Sequence, residues 1–245
     1  VGAAIVAEDS FDYTGGDPLA GKSGGSGWSG SWSDFNSSNE VSNSGLSYTD
    51  GNSNSLVTSG NSLQAVGQSA SDNNTNSLRG VNADFTGKDI WVSVLVDYSN
   101  ISGDTSNIKF ELRGSDDKDM SVRVQNDTAQ LLVSDVTGNG TDNNTNAVSN
   151  VADGVHFFVL QIERDGNGAG NDALNFWLDP DIGGSAPSIT ASASGTGAFA
   201  DTFKRVLLQA RDESTTFAEG NFRHDEVRIG ESFADVTPIP EPSSG

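Results

Sequence analysis

Carboxylate and amide side chains that could bind a cation are the groups in this sequence best suited to chemistry. Calcium accepts about six to eight oxygen ligands from such groups and tolerates the geometry of loops. One candidate set, near the start of the chain and in its last apolar segment, consists of Glu8, Asp9, Asp12 and Asp225. A second set, in a glycine-containing loop, consists of Asp165, Asn167 and Asp172. We therefore expect a structural calcium ion held by Asp225 and one of the early carboxylates, although such residues also cap turns without metal.

The arrangement of acidic and histidine residues does not indicate a catalytic site. Hydrolysis of glycosidic bonds needs two carboxyl groups at a controlled separation, and the adjacent Asp225 and Glu226 would face opposite sides of a strand. The chain has two histidines, of which His156 lies in an apolar segment and His224 lies beside Asp225. We therefore expect no enzymatic activity, and a glycan hydrolase or lyase with a divergent site is the enzymatic alternative.

The four tryptophans are the aromatic side chains that could stack on sugar rings. Trp91 and Trp177 lie in apolar segments, which predicts that they are buried. Trp28 and Trp32 lie in a segment rich in glycine and serine. There they could form a carbohydrate-binding platform, or they could anchor the loop to the core.

The net charge of −21 arises from 13 basic and 34 acidic residues. A chain this acidic repels nucleic acids and anionic membranes and attracts divalent cations. We therefore expect neither a nucleic acid nor a membrane as a partner of this chain. The sequence contains no cysteine, which excludes disulfide bonds and thiol chemistry. It also contains no apolar run of membrane-spanning length.

The elements that must position these side chains are β-strands. Apolar residues alternate with polar ones over residues 108–113 and 120–125. Residues 90–98 form a long β-branched segment that also predicts a strand, and residues 204–210 are a further predicted strand. Residues 155–164 are apolar on both faces, which predicts a strand covered on both sides. The same alternation over residues 222–229 would put Asp225 on one face with Val227 and Ile229, and His224 on the other. Short strands separated by many turns predict an all-β fold, an antiparallel β-sandwich.

Both ends of the chain resemble bacterial concanavalin A-like (laminin G-like) jelly-roll domains. The similarity rests on Phe-Asp-Tyr at residues 11–13, Gly-Trp-Ser-Gly-Ser-Trp at residues 27–32, and Asp-Glu-Val-Arg-Ile-Gly at residues 225–230. It implies one jelly-roll domain over residues 1–237. Pro240, Glu241 and Pro242 resemble the start of a PEP-CTERM sorting signal. That resemblance implies a proline-rich tail over residues 238–245 and a secreted or surface-displayed bacterial protein.

The resemblance to PEP-CTERM proteins also implies a role in an extracellular polysaccharide matrix or biofilm. We expect a non-catalytic structural or adhesive protein that associates with itself and whose cofactor is structural calcium. A carbohydrate-binding module for exopolysaccharide is the alternative. Self-association would use the apolar segment formed by Ala3, Ala4, Ile5, Val6 and Ala7 as a strand added to the sheet of a neighbouring copy. The same segment could instead pair as an edge strand within its own domain.

Overall fold

A computed structural model of the protein describes residues 5–35, 39–66, 74–98, 106–115, 118–133, 143–166, 168–194, 197–211 and 222–240. Two antiparallel β-sheets, one of eight strands and one of seven, form the fold, as the alternating pattern predicts. The strands are β1 (Ile5–Asp9), β2 (Trp28–Phe35), β3 (Asn39–Val41), β4 (Leu63–Ala65), β5 (Asn74–Val81), β6 (Ile90–Tyr98), β7 (Asn107–Gly114), β8 (Asp119–Gln125), β9 (Thr128–Val133), β10 (Asn143–Ser149), β11 (Gly154–Glu163), β12 (Ala173–Leu178), β13 (Ala191–Ser194), β14 (Phe203–Arg211) and β15 (Phe222–Gly230), and the helix is α1 (Phe233–Val236).

Strands that are distant in the sequence are neighbours in both sheets. The first sheet has the order β13-β12-β11-β6-β15-β4-β3, and β1 also pairs with β15. The second sheet has the order β10-β9-β8-β7-β14-β5-β2. β15 therefore lies between β6 on one side and β1 and β4 on the other. β14 lies between β5 and β7.

The core lies between the two sheets and is formed by alternate side chains of their strands. In β7, for example, Ile108, Phe110 and Leu112 are buried in this core. Burial of an apolar side chain of this size stabilises the fold by about 1.5–3 kcal/mol. The residues between them in β7 consequently point away from the core, to the outer face of the second sheet.

A second apolar cluster lies on the outer face of the first sheet. In this cluster, side chains of β6, β11 and β12 pack against residues 46–56, Ile182 and helix α1. We call these last three segments together the cover. The buried members of this cluster are Leu46, Leu56, Trp91, Leu95, Phe157, Val159, Trp177, Ile182, Phe233 and Val236. β11 is therefore covered on both faces, and Trp91 and Trp177 are buried, as the sequence predicts.

Strand β15 contains a β-bulge that reverses the faces of its side chains. The register with β6 shifts after Asp225, and Glu226 has a φ of 50°. As a result, Asp225 faces the cover, whereas Val227 and Ile229 lie in the core and His224 approaches the second sheet. The prediction that Asp225 shares a face with Val227 and Ile229 is therefore wrong, because a bulge inserts a residue and shifts the alternation.

The first strand pairs within its own domain. β1 is antiparallel to β15 over Ile5–Asp9, and on its other edge Glu8 exchanges backbone hydrogen bonds with Ser26. Ile5, Val6 and Ala7 therefore belong to an edge strand within their own domain, which was the alternative to self-association. Ala3 and Ala4 lie outside the described residues.

The first residues of the proline-rich tail lie against the domain. The carbonyl oxygen of Pro238 accepts a hydrogen bond from the backbone nitrogen of Val57 at 2.9 Å. Pro240 is the last residue described, so Glu241 and Pro242 of the sorting-signal prediction lie outside the described residues. Within the described ranges, no helix has the length and apolar character needed to cross a membrane.

Candidate functional site

The outer face of the second sheet carries closely spaced polar and charged side chains. They point outward because their neighbours in β7, β8 and β14, such as Phe110, Val122 and Leu208, lie in the core. We call this surface the polar face. Its residues are Asn76, Leu78, Lys109, Glu111, Arg113, Asp119, Ser121, Arg123, Gln125, Gln130, Leu132, Arg205, Leu207, Gln209 and Arg211.

The strand register places basic residues directly opposite one another on the polar face. Arg205 of β14 lies opposite Arg113 of β7, and Lys109 of β7 lies opposite Arg123 of β8. Directly opposite residues have Cβ atoms about 4.5–5.5 Å apart, and like charges in this arrangement destabilise a sheet. We call each of these two opposite pairs a cationic row. The rows are separated by four residues along β7, which corresponds to about 13 Å.

One buried carboxylate compensates part of this positive charge. Glu111, whose side chain is 1% exposed, forms ion pairs with Lys109 and with Nε of Arg113. Within the described part of the chain, the terminal nitrogens of Arg113 and the whole side chain of Arg205 have no hydrogen-bond or ion-pair partner. Two guanidinium groups on neighbouring strands therefore keep donors for a ligand.

An open cavity lies at the end of the polar face where β7 turns into β8. It has a volume of about 250 Å³ and is lined by Arg113, Gly114, Lys118, Asp119 and Arg205. Sites for whole small molecules have volumes of about 300–1,000 Å³. This cavity is therefore of the size for one charged group or one sugar unit.

The polar face differs in charge from the rest of the molecule. Together with Lys118 it holds six of the 13 basic residues and two of the 34 acidic ones. Asp116, Asp117, Asp212 and Glu213 follow its strands in the sequence and lie outside the described residues. The described part of the face is thus positive in a chain whose net charge is −21.

The polar face was not predicted from the sequence, although part of its signal is there. Lys109, Glu111 and Arg113 alternate with apolar residues, which shows that they share one face of a strand. The pairing of β14 with β7 brings Arg205 to the same place from 92 positions further along the chain than Arg113. Only the strand order of the folded sheet reveals that pairing.

Asp9, a predicted cation ligand, is the centre of a buried polar cluster. Its carboxylate accepts hydrogen bonds from Phe11 N (2.9 Å), Tyr13 Oη (2.8 Å) and Trp32 Nε1 (2.8 Å), and it forms an ion pair with Arg79. Burial and the neighbouring Asp9 carboxylate raise the pKa of Tyr13, so its hydroxyl stays a donor at neutral pH. The carboxylate of Asp9 is therefore occupied by protein donors, which argues against its predicted role as a calcium ligand.

Backbone nitrogens hold the carboxyl group of Asp225. Its Oδ2 accepts a hydrogen bond from Leu46 N and its Oδ1 from Glu226 N, both at 2.7 Å. Burial raises the pKa of Asp225 to about 8, against the lowering effect of these donors. Beside it, Glu226 and Arg228 form a buried ion pair at 2.6 Å. Protein groups under the cover thus satisfy the inward carboxylate.

The remaining predicted cation ligands lie in two places. Glu8 and Asp12 are exposed near the start of the chain. In the loop between β11 and β12, the buried carboxylate of Asp172 accepts hydrogen bonds from the backbone nitrogen of Asp165 and from a second backbone nitrogen. Asn167 lies outside the described residues. In the part of the chain that the structure describes, no group of three acidic or histidine side chains is placed to hold a metal, and calcium stays a prediction.

Trp28 and Trp32 anchor the chain beside β1. Trp32 is 1% exposed and stacks on Phe11 with the ring centroids 5.8 Å apart. Trp28 is half-buried and donates from Nε1 to the carbonyl oxygen of Glu8 at 2.8 Å. The Arg79 guanidinium lies 5.0 Å from the Trp28 ring and 5.6 Å from the Trp32 ring. Because a buried ring cannot stack on a sugar, the prediction of a carbohydrate platform is wrong for Trp32.

The two histidines are held by structural contacts. His224 is buried with Nε2 3.3 Å from the carbonyl oxygen of Lys109, and burial lowers its pKa to about 4. His156 is 2.7 Å from Asp179 through Nδ1 and 2.7 Å from the carbonyl oxygen of Ala152 through Nε2. Burial acts to lower the pKa of His156, but these two contacts raise it overall.

No protein-family model matches the sequence, and no curated protein sequence matches it. Among solved structures, the chain is similar to the potassium-bound carbohydrate recognition domain of Emp46p, with 7% identity, a TM-score of 0.51, and coverage of 82% of this chain and 88% of that chain. It is also similar to galectin LEC-6 of Caenorhabditis elegans, with 6% identity, a TM-score of 0.40, and coverage of 62% and 89%.

A third similar structure is the receptor binding domain of botulinum neurotoxin D, with 10% identity, a TM-score of 0.42 and coverage of 76% of this chain. The chain spans 48% of the length of that neurotoxin domain and 45% of the length of an HCR/D mutant that it also matches. The likeness to the Emp46p domain extends over most of both chains. It confirms the predicted fold, a jelly-roll β-sandwich.

Proposed function

We propose that this protein is a non-catalytic carbohydrate-binding domain whose ligand lies on the polar face. The observation that carries the proposal is the array of amide, hydroxyl and guanidinium groups on the outer face of one sheet. Sugar hydroxyls are recognised by a small number of well-placed polar groups of these kinds. The likeness in fold to the carbohydrate recognition domain of Emp46p supports the same function.

Side chains in the middle of the polar face hold one another in position. Gln209 Nε2 donates to Asn76 Oδ1 at 2.6 Å, and Arg123 Nε donates to Gln130 Oε1 at 2.7 Å. After this bond Gln209 keeps an amide oxygen and Asn76 keeps an amino group that a sugar hydroxyl can contact. Groups that are already oriented lose little conformational freedom on binding, which favours affinity.

A glycan array probed with the wild-type protein and two leucine variants tests this proposal. Gln209→Leu removes the central amide, and we expect it to weaken binding about tenfold because a sugar hydroxyl loses its partner. Gln64→Leu is the matched control, since Gln64 is also a half-exposed strand glutamine but lies in β4 of the first sheet. The proposal fails if the wild-type protein binds no glycan, or if the two variants weaken binding equally.

The location and the larger role of the protein rest on its sequence. The Pro-Glu-Pro resemblance supports secretion or surface display within an extracellular polysaccharide matrix, and glycan binding fits that setting.

Self-association through Ile5–Ala7 would require β1 to leave β15, because β1 already pairs within its domain. Sedimentation at high protein concentration, with and without calcium, tests this idea, and a monomer under both conditions would contradict it. An unchanged thermal midpoint after chelation would contradict the calcium prediction.

A further inference from the structure

We infer that the ligand of the polar face is an acidic polysaccharide, which carries carboxylate or sulfate groups along its chain. The inference rests on the proposed function and adds to it the charge of the glycan. It depends on three features of the polar face: the cavity between two arginines, the two cationic rows, and the contrast in charge with the rest of the chain.

The cavity is lined by three basic side chains and one acidic side chain, Asp119, which lies opposite Arg113. Arg113 and Arg205 line it from neighbouring strands, and Lys118 lines it from the turn. The Arg113 guanidinium is oriented through Nε by Glu111, so its terminal nitrogens stay available. A planar guanidinium fork matches the two oxygens of a carboxylate or of a sulfate group, and such charge-assisted hydrogen bonds are about twice as strong as neutral ones. A volume of about 250 Å³ admits one such group with part of its sugar ring.

Repulsion within the two cationic rows destabilises the unliganded protein, and a bound anion would remove that repulsion. Arg205 opposite Arg113 and Lys109 opposite Arg123 are like-charge pairs on neighbouring strands. Glu111 reaches Lys109 and Arg113, and no described side chain reaches Arg205. A bound anion beside Arg113 and Arg205 would convert their repulsion into two attractive contacts.

The spacing of the rows selects a polymer over a single acidic sugar. The rows are about 13 Å apart along β7, which exceeds the reach of one charged group. A polysaccharide with charges along its length can contact both rows at once, and the second contact is then intramolecular. We therefore expect affinity to rise with the length of the acidic oligosaccharide.

The rest of the protein confines such a ligand to the polar face. Outside the described face and Lys118, the chain holds seven of its 13 basic residues and 32 of its 34 acidic ones. The described acidic residues among them repel an anionic polymer from the surfaces on which they lie. Binding should therefore weaken as the salt concentration rises, because exposed charges are screened over about 8 Å at physiological ionic strength.

Affinity electrophoresis and titration calorimetry with matched polymers test the inference. The probes are polygalacturonate, its fully methyl-esterified neutral form, dextran sulfate and dextran. We expect the protein to bind one or both of the acidic polymers and neither neutral one, with weaker binding at higher salt. Polygalacturonate and dextran sulfate distinguish a carboxylate site from a sulfate site, and either result supports an acidic ligand.

Two charge-neutralising variants show whether the binding uses this face. Arg205→Gln should weaken binding of the acidic polymer about tenfold or more, since it removes a charge-assisted contact. Lys88→Gln is the matched control, because it changes the net charge by the same amount. Lys88 lies outside the polar face and pairs with Glu231, so this variant should bind the polymer as the wild-type protein does. Arg205→Gln should be at least as stable as the wild-type protein, because a like-charge pair is relieved.

The outcomes separate this inference from the proposed function. Equal binding of the acidic and neutral polymers would overturn the inference and leave carbohydrate binding intact. Binding of no polymer and no glycan would overturn both. If the wild-type protein instead dimerises at low salt, and Arg205→Gln abolishes the dimer while acidic polymers do not compete, the polar face binds a second copy and the inference is wrong.

Discussion

Replacement of Asp9 by alanine should be among the most destabilising single substitutions in this protein. The change leaves the Arg79 guanidinium buried without its partner, and removal of one member of a buried ion pair costs about 3–5 kcal/mol. It also removes the acceptor of Phe11 N, Tyr13 Oη and Trp32 Nε1. The total stability of a domain is about 5–15 kcal/mol, so Asp9→Ala should remove a large part of it.

A double-mutant cycle measured by urea denaturation checks this reasoning. Tryptophan fluorescence suits the measurement, because Trp28 and Trp32 lie within 6 Å of the Arg79 guanidinium. Arg79→Met should cost less than Asp9→Ala, since Asp9 would keep its three uncharged donors. The double variant should recover stability relative to Asp9→Ala, because no charge is then left buried alone. A loss below about 1 kcal/mol for Asp9→Ala, or additive effects in the cycle, would refute the reasoning.

Two further predictions concern pH and backbone conformation. Because burial raises the folded-state pKa of Asp225 to about 8, above its unfolded value of about 3.9, the folded state holds the extra proton between these limits. The contribution of Asp225 to stability is therefore complete below the unfolded pKa and is lost as pH rises toward 8. Denaturation at pH 5 and pH 8 should show a smaller loss for Asp225→Ala than for the wild-type protein, and equal losses would contradict this. Gly27→Ala should be far more destabilising than Gly168→Ala in thermal melts: both glycines have positive φ, but a Cβ at Gly27 would lie 1.9 Å from the Val6 carbonyl oxygen, while Gly168 has open space. Similar midpoints for the two variants would contradict that expectation.

The alternating sequence predicts the sandwich because each strand separates its core side chains from its outer ones. Residues 108–112 illustrate this, since Ile108, Phe110 and Leu112 all lie in the core. The predicted apolar strand over residues 155–164 is also confirmed, with cover on one side and core on the other. These features depend on the spacing of apolar residues along each strand, which can be read directly from the sequence.

The candidate site could not be predicted to the same extent, because it depends on pairing between distant strands and on one inserted residue. Asp9 finds Arg79 across the sandwich, and no local pattern indicates that partner. Asp225 changes faces because of the bulge at Glu226, where a non-glycine residue adopts a positive φ. The polar face requires the order β8-β7-β14. Periodicity assigns a side chain to a face, but it does not say which strand lies beside it.

The cover on the first sheet has a consequence for how the protein would hold a polymer. The first sheet has its inner face against the second sheet, and the cover buries the apolar outward side chains of β6, β11 and β12. If the polymer binds only to the polar face, as proposed, a single domain provides one attachment point and is monovalent toward a chain with many repeats. Strong attachment would have to come from several domains on one polymer, where each later contact gains from the high local concentration set by the first. The strength of a material built this way would rest on the number of domains bound along each polymer chain rather than on the affinity of any one of them.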